Sequence, residues 1–529
     1  MKHLTKISYA LLAAWGVQVQ AETVVQSQNL ILARSMTNAD QALEFSMLAP
    51  SNFIEHEGSW AFNAAAAGVY KRYFNFVETK GLGAAPLWSG TNSMKVTLSN
   101  NQVENVKDAA VFSADQIGLG LSADNTAGQF SLDPIYYQAG GTIMLEAAYE
   151  RWFAQARFSA GKTVIDPQLT NGEQVVVGEL PYRAGQFTAD AIASPFKSLQ
   201  EAFKGNKAIG IYTGLTKGRI DGVATTGFTA GDINLSAGYK LIANEDSSLQ
   251  VALRGVIPCG NKPTGDLMLE PIFGNGGYYQ LGGQLTGHFK VWESAHQNNN
   301  VHINFDVFAM HSFENSKGLR SFDLKNNGKG SKYLLVADFN AANNETNNSV
   351  QNLINVSTLQ VKSSFDAEVN GMLAIGYEHK GFSFNIGYDV WVRTKETLAI
   401  TGVFDALRWA VVGQQNVQDS SNILCQPGAT MGNLAPYADG NISGALGDVT
   451  AVLQAATPAN RVSGVDALDV AGATQALAAT SSVFANVNYQ WEWNKCTPHV
   501  GVHGSWEFSH TGNNAVPQFG VALILGSSF

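Results

Sequence analysis

Apolar and polar residues alternate one by one over long stretches of this chain. Such a period of two places the two sets on opposite faces of a β-strand. The clearest stretch is Phe382 to Arg393. Phe382, Phe384, Ile386, Tyr388, Val390 and Val392 fall on one face. Ser383, Asn385, Gly387, Asp389 and Arg393 fall on the other, with Trp391 the large exception. Just before it, Phe365, Ala367, Val369, Leu373, Ile375 and Tyr377 alternate with Asp366, Glu368, Asn370 and Glu378. The short link Glu378-His379-Lys380-Gly381 makes the pair a hairpin.

The C-terminal region repeats the pattern. Val483, Ala485, Val487, Tyr489, Trp491 and Trp493 alternate with Asn486, Asn488, Gln490 and Glu492. Val500, Val502, Trp506 and Phe508 alternate with His499, His503, Ser505 and Glu507. In the last stretch Phe519, Val521, Leu523, Leu525 and Phe529 alternate with Gln518, Gly520, Ala522 and Gly526. Further strands are expected at 60–75, 142–150, 152–162, 232–241, 248–257, 278–292 and 301–312, which makes twelve. Arg219 to Thr226 offers more strand, so fourteen is the alternative.

The connections sort themselves into two kinds. Glu150-Arg151, 243–247, 293–300, 378–381 and 494–497 are short; 76–141, 163–231, 258–277, 313–364 and 394–481 are long. They fall alternately, so all short turns lie at one end and all long loops at the other. An all-β, antiparallel, up-and-down transmembrane barrel has this asymmetry, with short periplasmic turns and long outer loops. A soluble sandwich with one wet face shares the alternation but not the asymmetry.

Composition agrees. Only 14% of residues are charged, 53 are Gly and 10% are aromatic, which suits a barrel apolar outside and polar inside. Residues 1–21 read as a signal peptide: Lys2 and Lys6, an apolar Ile7 to Val17, then Val19-Gln20-Ala21. That apolar run is shorter than the roughly 20 residues of a membrane-spanning helix, and none follows it. Residues 22–58 form an N-terminal periplasmic segment or a plug, with a helical turn or two at Gln41 to Met47. The barrel and its loops then occupy 59–529. A net charge of −10 excludes nucleic acid as a partner, because phosphate contacts need basic patches.

The last strand, carrying Val521, Leu523, Leu525 and the terminal Phe529, resembles the sorting signal of bacterial outer-membrane β-barrels, a porin-like class. Ser527 stands where that family often has an aromatic residue. The resemblance implies a Gram-negative outer membrane as location, outer-membrane lipid around the barrel, and the barrel-assembly machinery as a partner in biogenesis. The N-terminal hatch motif of long-chain fatty-acid transporters is not visible.

If the apolar face meets lipid, the other face lines a lumen. Its charged residues include Glu146, Arg157, Lys240, Arg254, Lys290, Asp306, Asp366, Glu368, Asp389, Arg393, Glu492 and Glu507. Acids outnumber bases over the whole face, so the expected function is a porin-like channel for small solutes, passive and weakly cation-selective. In a barrel of about twelve strands the same charges can instead pair and fill the lumen. The alternative function is a surface adhesin, antigen or structural protein acting through its outer loops.

Trp152, Tyr377, Trp491 and Trp493 sit at strand ends near short turns, as interfacial girdle residues do. In loop 163–231, Ser194-Pro195 and Gly205 bracket a short helix with Phe196, Leu199 and Phe203 on one face. It constricts the pore or caps the loop cluster. Val449 to Ala456 and Ala467 to Ala479 are helical candidates in the longest loop. Cys259 and Cys425 both lie in outer loops and form a possible disulfide, the alternative being free thiols.

No enzyme, metal or cofactor is expected. His503 and Ser505 share a strand face, but two residues of strand separate them by about 7 Å, too far for a nucleophile and its base. His311 with Glu314, and His510 with Glu507, are charges at strand ends. The chain is expected to be a monomer.

Overall fold

A computed structural model describes residues 34–37, 39–48, 56–73, 93–97, 111–113, 128–132, 134–171, 203–205, 213–244, 246–295, 299–328, 330–342, 346–411, 461–509 and 515–529. The expected signal peptide, most of the 194–205 helix, the 449–456 helix and Cys425 lie outside the described residues.

Twelve strands form one closed antiparallel ring. They are β1 (His56–Tyr73), β2 (Ile135–Glu150), β3 (Trp152–Asp166), β4 (Thr229–Ala243), β5 (Ser247–Ile257) and β6 (Gln280–Glu293). The ring continues with β7 (Asn299–Ser321), β8 (Thr358–His379), β9 (Phe382–Arg393), β10 (Ala478–Gln490), β11 (Thr497–Ser509) and β12 (Gln518–Ser528). Every strand pairs with its neighbours in sequence, and β1 pairs with β12 to close the ring. Phe62 and Phe529 exchange two backbone hydrogen bonds at that seam, 3.1 and 2.8 Å. Closure leaves no open sheet edge, which lipid does not tolerate.

The segment that suggested fourteen strands stays outside the ring. Ala224–Thr225 is a two-residue strand on the loop end of β3, and Arg219 bridges to Leu267 in the next loop. The short turns are tight where expected. Between β8 and β9, Lys380 and Gly381 both take positive φ, 46° and 84°, the two-residue hairpin geometry.

The outward face is apolar and aromatic. Leu523, Leu525, Leu373, Ile375, Ile386 and Leu253 are all more than half exposed in the isolated chain. Trp60 packs tilted against Tyr149, and Trp152 edge-on against Tyr239, at the short-turn end. Tyr70, Tyr137, Phe519 and Trp506 form a second band towards the loops. From Trp60 to Tyr70 is about 33 Å along the strand, or about 25 Å of height at a tilt near 40°. That is the height of the apolar band of a membrane barrel.

β7 and β8, 23 and 22 residues long, outrun the membrane requirement of about 10 and carry a cap on the loop side. Within it, Leu335–Phe339, Thr346–Asn352 and Trp409–Val411 form a small sheet over buried Tyr333, Leu334, Leu353 and Ile354. Phe203 packs edge-on to Tyr333, 6.2 Å between centroids, so it belongs to this loop layer.

Candidate functional site: a lumen filled by the N-terminal segment

The inward face encloses a segment of the chain itself. Residues 34–37 and 39–48 run inside the ring, and helix α1 (Gln41–Met47) is buried over its whole length. Seven residues form barely two turns, too few to persist alone. Asp40 caps α1, its Oδ1 accepting from the Leu43 backbone N–H at 3.3 Å. Its other oxygen meets Lys71 Nζ of β1 at 2.6 Å. The same carboxylate therefore ends the helix and fastens it to the wall.

Glu44, one turn on, is gripped by two guanidinium groups. Arg254 of β5 reaches it end-on, Nη1 to Oε1 and Nη2 to Oε2, both 2.9 Å. Arg157 of β3 adds Nη1 to Oε2 at 2.9 Å. Arg254 also stacks over Phe308, 4.7 Å from its centroid, and donates to Gln284 at 3.2 Å. Arg34 pairs with Asp389 of β9 and donates to Asn370 of β8 at 2.9 Å. Asn370 Nδ2 in turn donates to Asp389 at 2.9 Å and so fixes that carboxylate.

Hydrogen bonds complete the attachment. Thr37 Oγ1 donates to Asp232 of β4 at 2.5 Å, and its carbonyl accepts from Arg157 and Asn234 at 2.9 and 2.7 Å. Ser46 Oγ accepts from Asn486 of β10 at 2.7 Å and lies 3.0 Å from His503 Nδ1 of β11. Polar contacts thus tie the segment to eight strands of the ring.

Its apolar side chains find matching patches. Met36, Leu43 and Met47 pack on Ala65, Ala67, Val69, Met144, Ala522 and Ile524, all inward-facing. Ala42 and Phe45 pack on Met372, Ala374 and Phe484. Phe273, from the loop between β5 and β6, folds in from the loop end and joins the first patch. These small apolar residues interrupt an otherwise polar inner face, and they were the sequence signal for an occupant.

The expected lumen residues divide into groups. Glu146, Arg157, Lys240, Arg254, Asp306, Glu368, Asp389 and Glu507 are buried on the inner wall. Asp306 accepts Gln284 Nε2 at 3.0 Å, and Glu368 accepts Trp391 Nε1 at 2.8 Å and Gln280 at 2.6 Å. Trp391, the exception in the alternation, is thus a lumen residue with its N–H on a carboxylate. Arg393 lies further towards the loops, over the Phe365 ring at 4.2 Å.

Three residues fall elsewhere. Asp366 sits at a β-bulge: β8 pairs Glu368 with Met310 and then Phe365 with Ser312, one residue out of step. The bulge reverses the parity, so Phe365 turns inward and Asp366 is left half-buried. Glu492 lies beyond the end of β10 at Gln490, exposed in the turn. Lys290 is at the short-turn rim, paired with Asp246 and, at 3.2 Å, Glu293. Trp491 and Trp493 are exposed in the same turn region as Glu492. Val521, Leu523, Leu525 and Phe529 all face outward from β12 and its end.

Two small spaces border the segment among the described residues. On the loop side, about 80 Å³ is lined by Arg34, Tyr136, Tyr278, Arg320, Trp391 and Arg393. On the short-turn side, about 50 Å³ is lined by Phe45, His288, His302, Glu378 and His499. His288 and His302 belong to no sequence motif; they stack at 4.4 Å, and Glu378 lies 3.2 Å from His302. His503 Nδ1 faces Ser46, while its Nε2 has no partner among the described residues. Among the described residues no group of three His, Cys, Asp or Glu is placed to hold a metal ion.

No family model and no curated protein matches the chain. Solved structures do. An outer membrane channel from Pseudomonas putida F1 aligns at 10% identity and TM-score 0.37, over 91% of this chain and all (100%) of that one. The Ralstonia pickettii toluene transporter TbuX aligns at 8% and 0.28, over 97% and 98%. The NanC porin aligns at 6% and 0.22, over 74% and 93%.

The chain has the architecture of an outer-membrane β-barrel. Its closed ring, apolar belt and end-sorted loops carry that statement by themselves.

Proposed function

We propose that this chain is an outer-membrane channel for small solutes, held shut by residues 34–48. The observation that carries the reading is the ion-paired seating of that segment: Arg34 on Asp389, Asp40 on Lys71, Glu44 on Arg157 and Arg254. A segment meant only to fill a barrel is served by apolar packing, whereas buried ion pairs contribute little net stability. They do set register, and they are satisfied again by water once the segment leaves.

With the segment withdrawn, the buried inner wall presents Glu146, Asp232, Asp306, Glu368, Asp389 and Glu507 against Lys71, Arg157, Lys240 and Arg254. That excess of acids supports weak cation preference. One chain completes the ring, which supports a monomer. The outward Phe529 and its neighbours support recognition by the barrel-assembly machinery.

Planar-bilayer recording tests the reading. The full chain should show rare, brief openings, and Arg34→Ala combined with Glu44→Ala should lengthen them. Absence of discrete conductance in both proteins overturns the channel.

The folded cap on the loop side favours a second reading, surface adhesion. It requires that removing 335–352 abolish binding to a host or matrix surface while conductance is unaffected.

A further inference from the structure

Glu44 is held the way a free carboxylate would be held. Its two oxygens meet Nη1 and Nη2 of Arg254 in the end-on, two-bond arrangement, and Arg157 adds an ion pair at 2.9 Å. This planar fork offers two parallel donors to two oxygens of one anion, which a point charge cannot match, and the group seated in it is a carboxylate. Both guanidinium groups are almost wholly buried, Arg157 at 3% and Arg254 at 1% exposed. When residues 34–48 leave, the two cations stay in the passage without Glu44. Arg254 stays aimed, because Phe308 beneath it and Gln284 beside it belong to the wall. The wall therefore keeps a preformed cradle that the departing segment had filled.

We infer that the Arg157–Arg254 pair is a carboxylate-recognition subsite of the channel, that Glu44 occupies it in the closed state as an internal ligand, and that the solutes served carry a carboxylate. This rests on the plugged-channel reading and names its substrate class. It is compatible with a wall acidic overall, since the cradle is local. Asp306 accepts from Gln284, which also bonds Arg254, so an acid borders the cradle. A solute bearing a cationic group beside its carboxylate fits both.

Chemical rescue tests the cradle without any transport. Glu44→Ala removes a carboxylate and one methylene, the volume of acetate. Acetate should restore at least half of the loss in thermal midpoint of the full-length variant; acetamide and phosphate should not. Adding Arg254→Lys, which keeps the charge and loses the fork, should abolish rescue. Equal rescue by acetamide or phosphate, or rescue that survives Arg254→Lys, overturns the inference. If Glu44→Ala does not fold, the wild-type protein decides. Acetate should raise its open probability several-fold over acetamide, and Arg254→Lys should erase the difference; no difference overturns the subsite. A channel that conducts but ignores acetate removes the inference and leaves the channel. A chain that never conducts, yet shows selective rescue in Glu44→Ala, removes the channel and leaves the cradle.

Discussion

Glu44 and Arg254 stand 210 residues apart in sequence and meet end-on inside the barrel, with two contacts of 2.9 Å. One belongs to a seven-residue helix and the other to the wall. Breaking one partner of a buried pair costs about 3–5 kcal/mol, because the other charge is left uncompensated. In Glu44→Ala, hydrogen-exchange protection of the α1 amides should collapse while that of the ring strands is kept. Equal protection in both proteins contradicts the ion-paired seating.

The inward placement of Trp391 has its own test. Its N–H donates to Glu368 at 2.8 Å, and both side chains are buried. Trp391→Phe keeps the ring and leaves a carboxylate oxygen without that donor. A loss of about 1–3 kcal/mol is expected in chemical unfolding. An outward-facing tryptophan would show almost none.

The lipid face is tested at β12. Leu523 is 67% exposed in the isolated chain and pairs with Gly68 of β1, between the two aromatic bands. Leu523→Arg should destabilise the barrel in vesicles by about 2–4 kcal/mol, the cost of a cation near the bilayer midplane. The same change at Trp60, in the lower band, should cost about 0–1 kcal/mol. Equal costs contradict the proposed membrane position.

The ring was legible in the sequence because a period of two repeats over every strand and a one-residue error would turn a whole strand over. The occupant was far less so. Helix α1 is too short for a 3.6-residue pattern, and the polar partners of the segment that carries it come from eight separate strands. Asp366 and Phe365 were placed on the wrong faces for a related reason. A bulge adds one residue to β8 without any marker such as Gly or Pro at the site, and parity counted through it inverts. Trp391 carried the opposite hint: a large aromatic on the polar face needs a partner for its N–H.

The seam between β1 and β12 supports a prediction about assembly. Phe529 exchanges two backbone hydrogen bonds with Phe62 and points outward. Deleting Phe529 should remove both bonds and lower the yield of folded barrel in outer-membrane fractions. Phe529→Ala retains the backbone pairing, so a comparable fall there assigns the effect to the side chain. Unchanged yield in both variants contradicts a role in assembly.

The central claim is that residues 34–48 must leave for solute to pass. Ser46 Oγ and Asn486 Nδ2 are 2.7 Å apart, one on the segment and one on the wall, so a cysteine at each position can be joined by a short bis-methanethiosulfonate linker whose disulfides reduction removes. The decisive measurement is bilayer conductance of Ser46→Cys/Asn486→Cys, in a background with Cys259, Cys425 and Cys496 changed to Ser, before and after reduction. The account expects a silent channel when linked and restored openings when reduced. Equal conductance in both states would show that solute passes with the segment in place, and would contradict it.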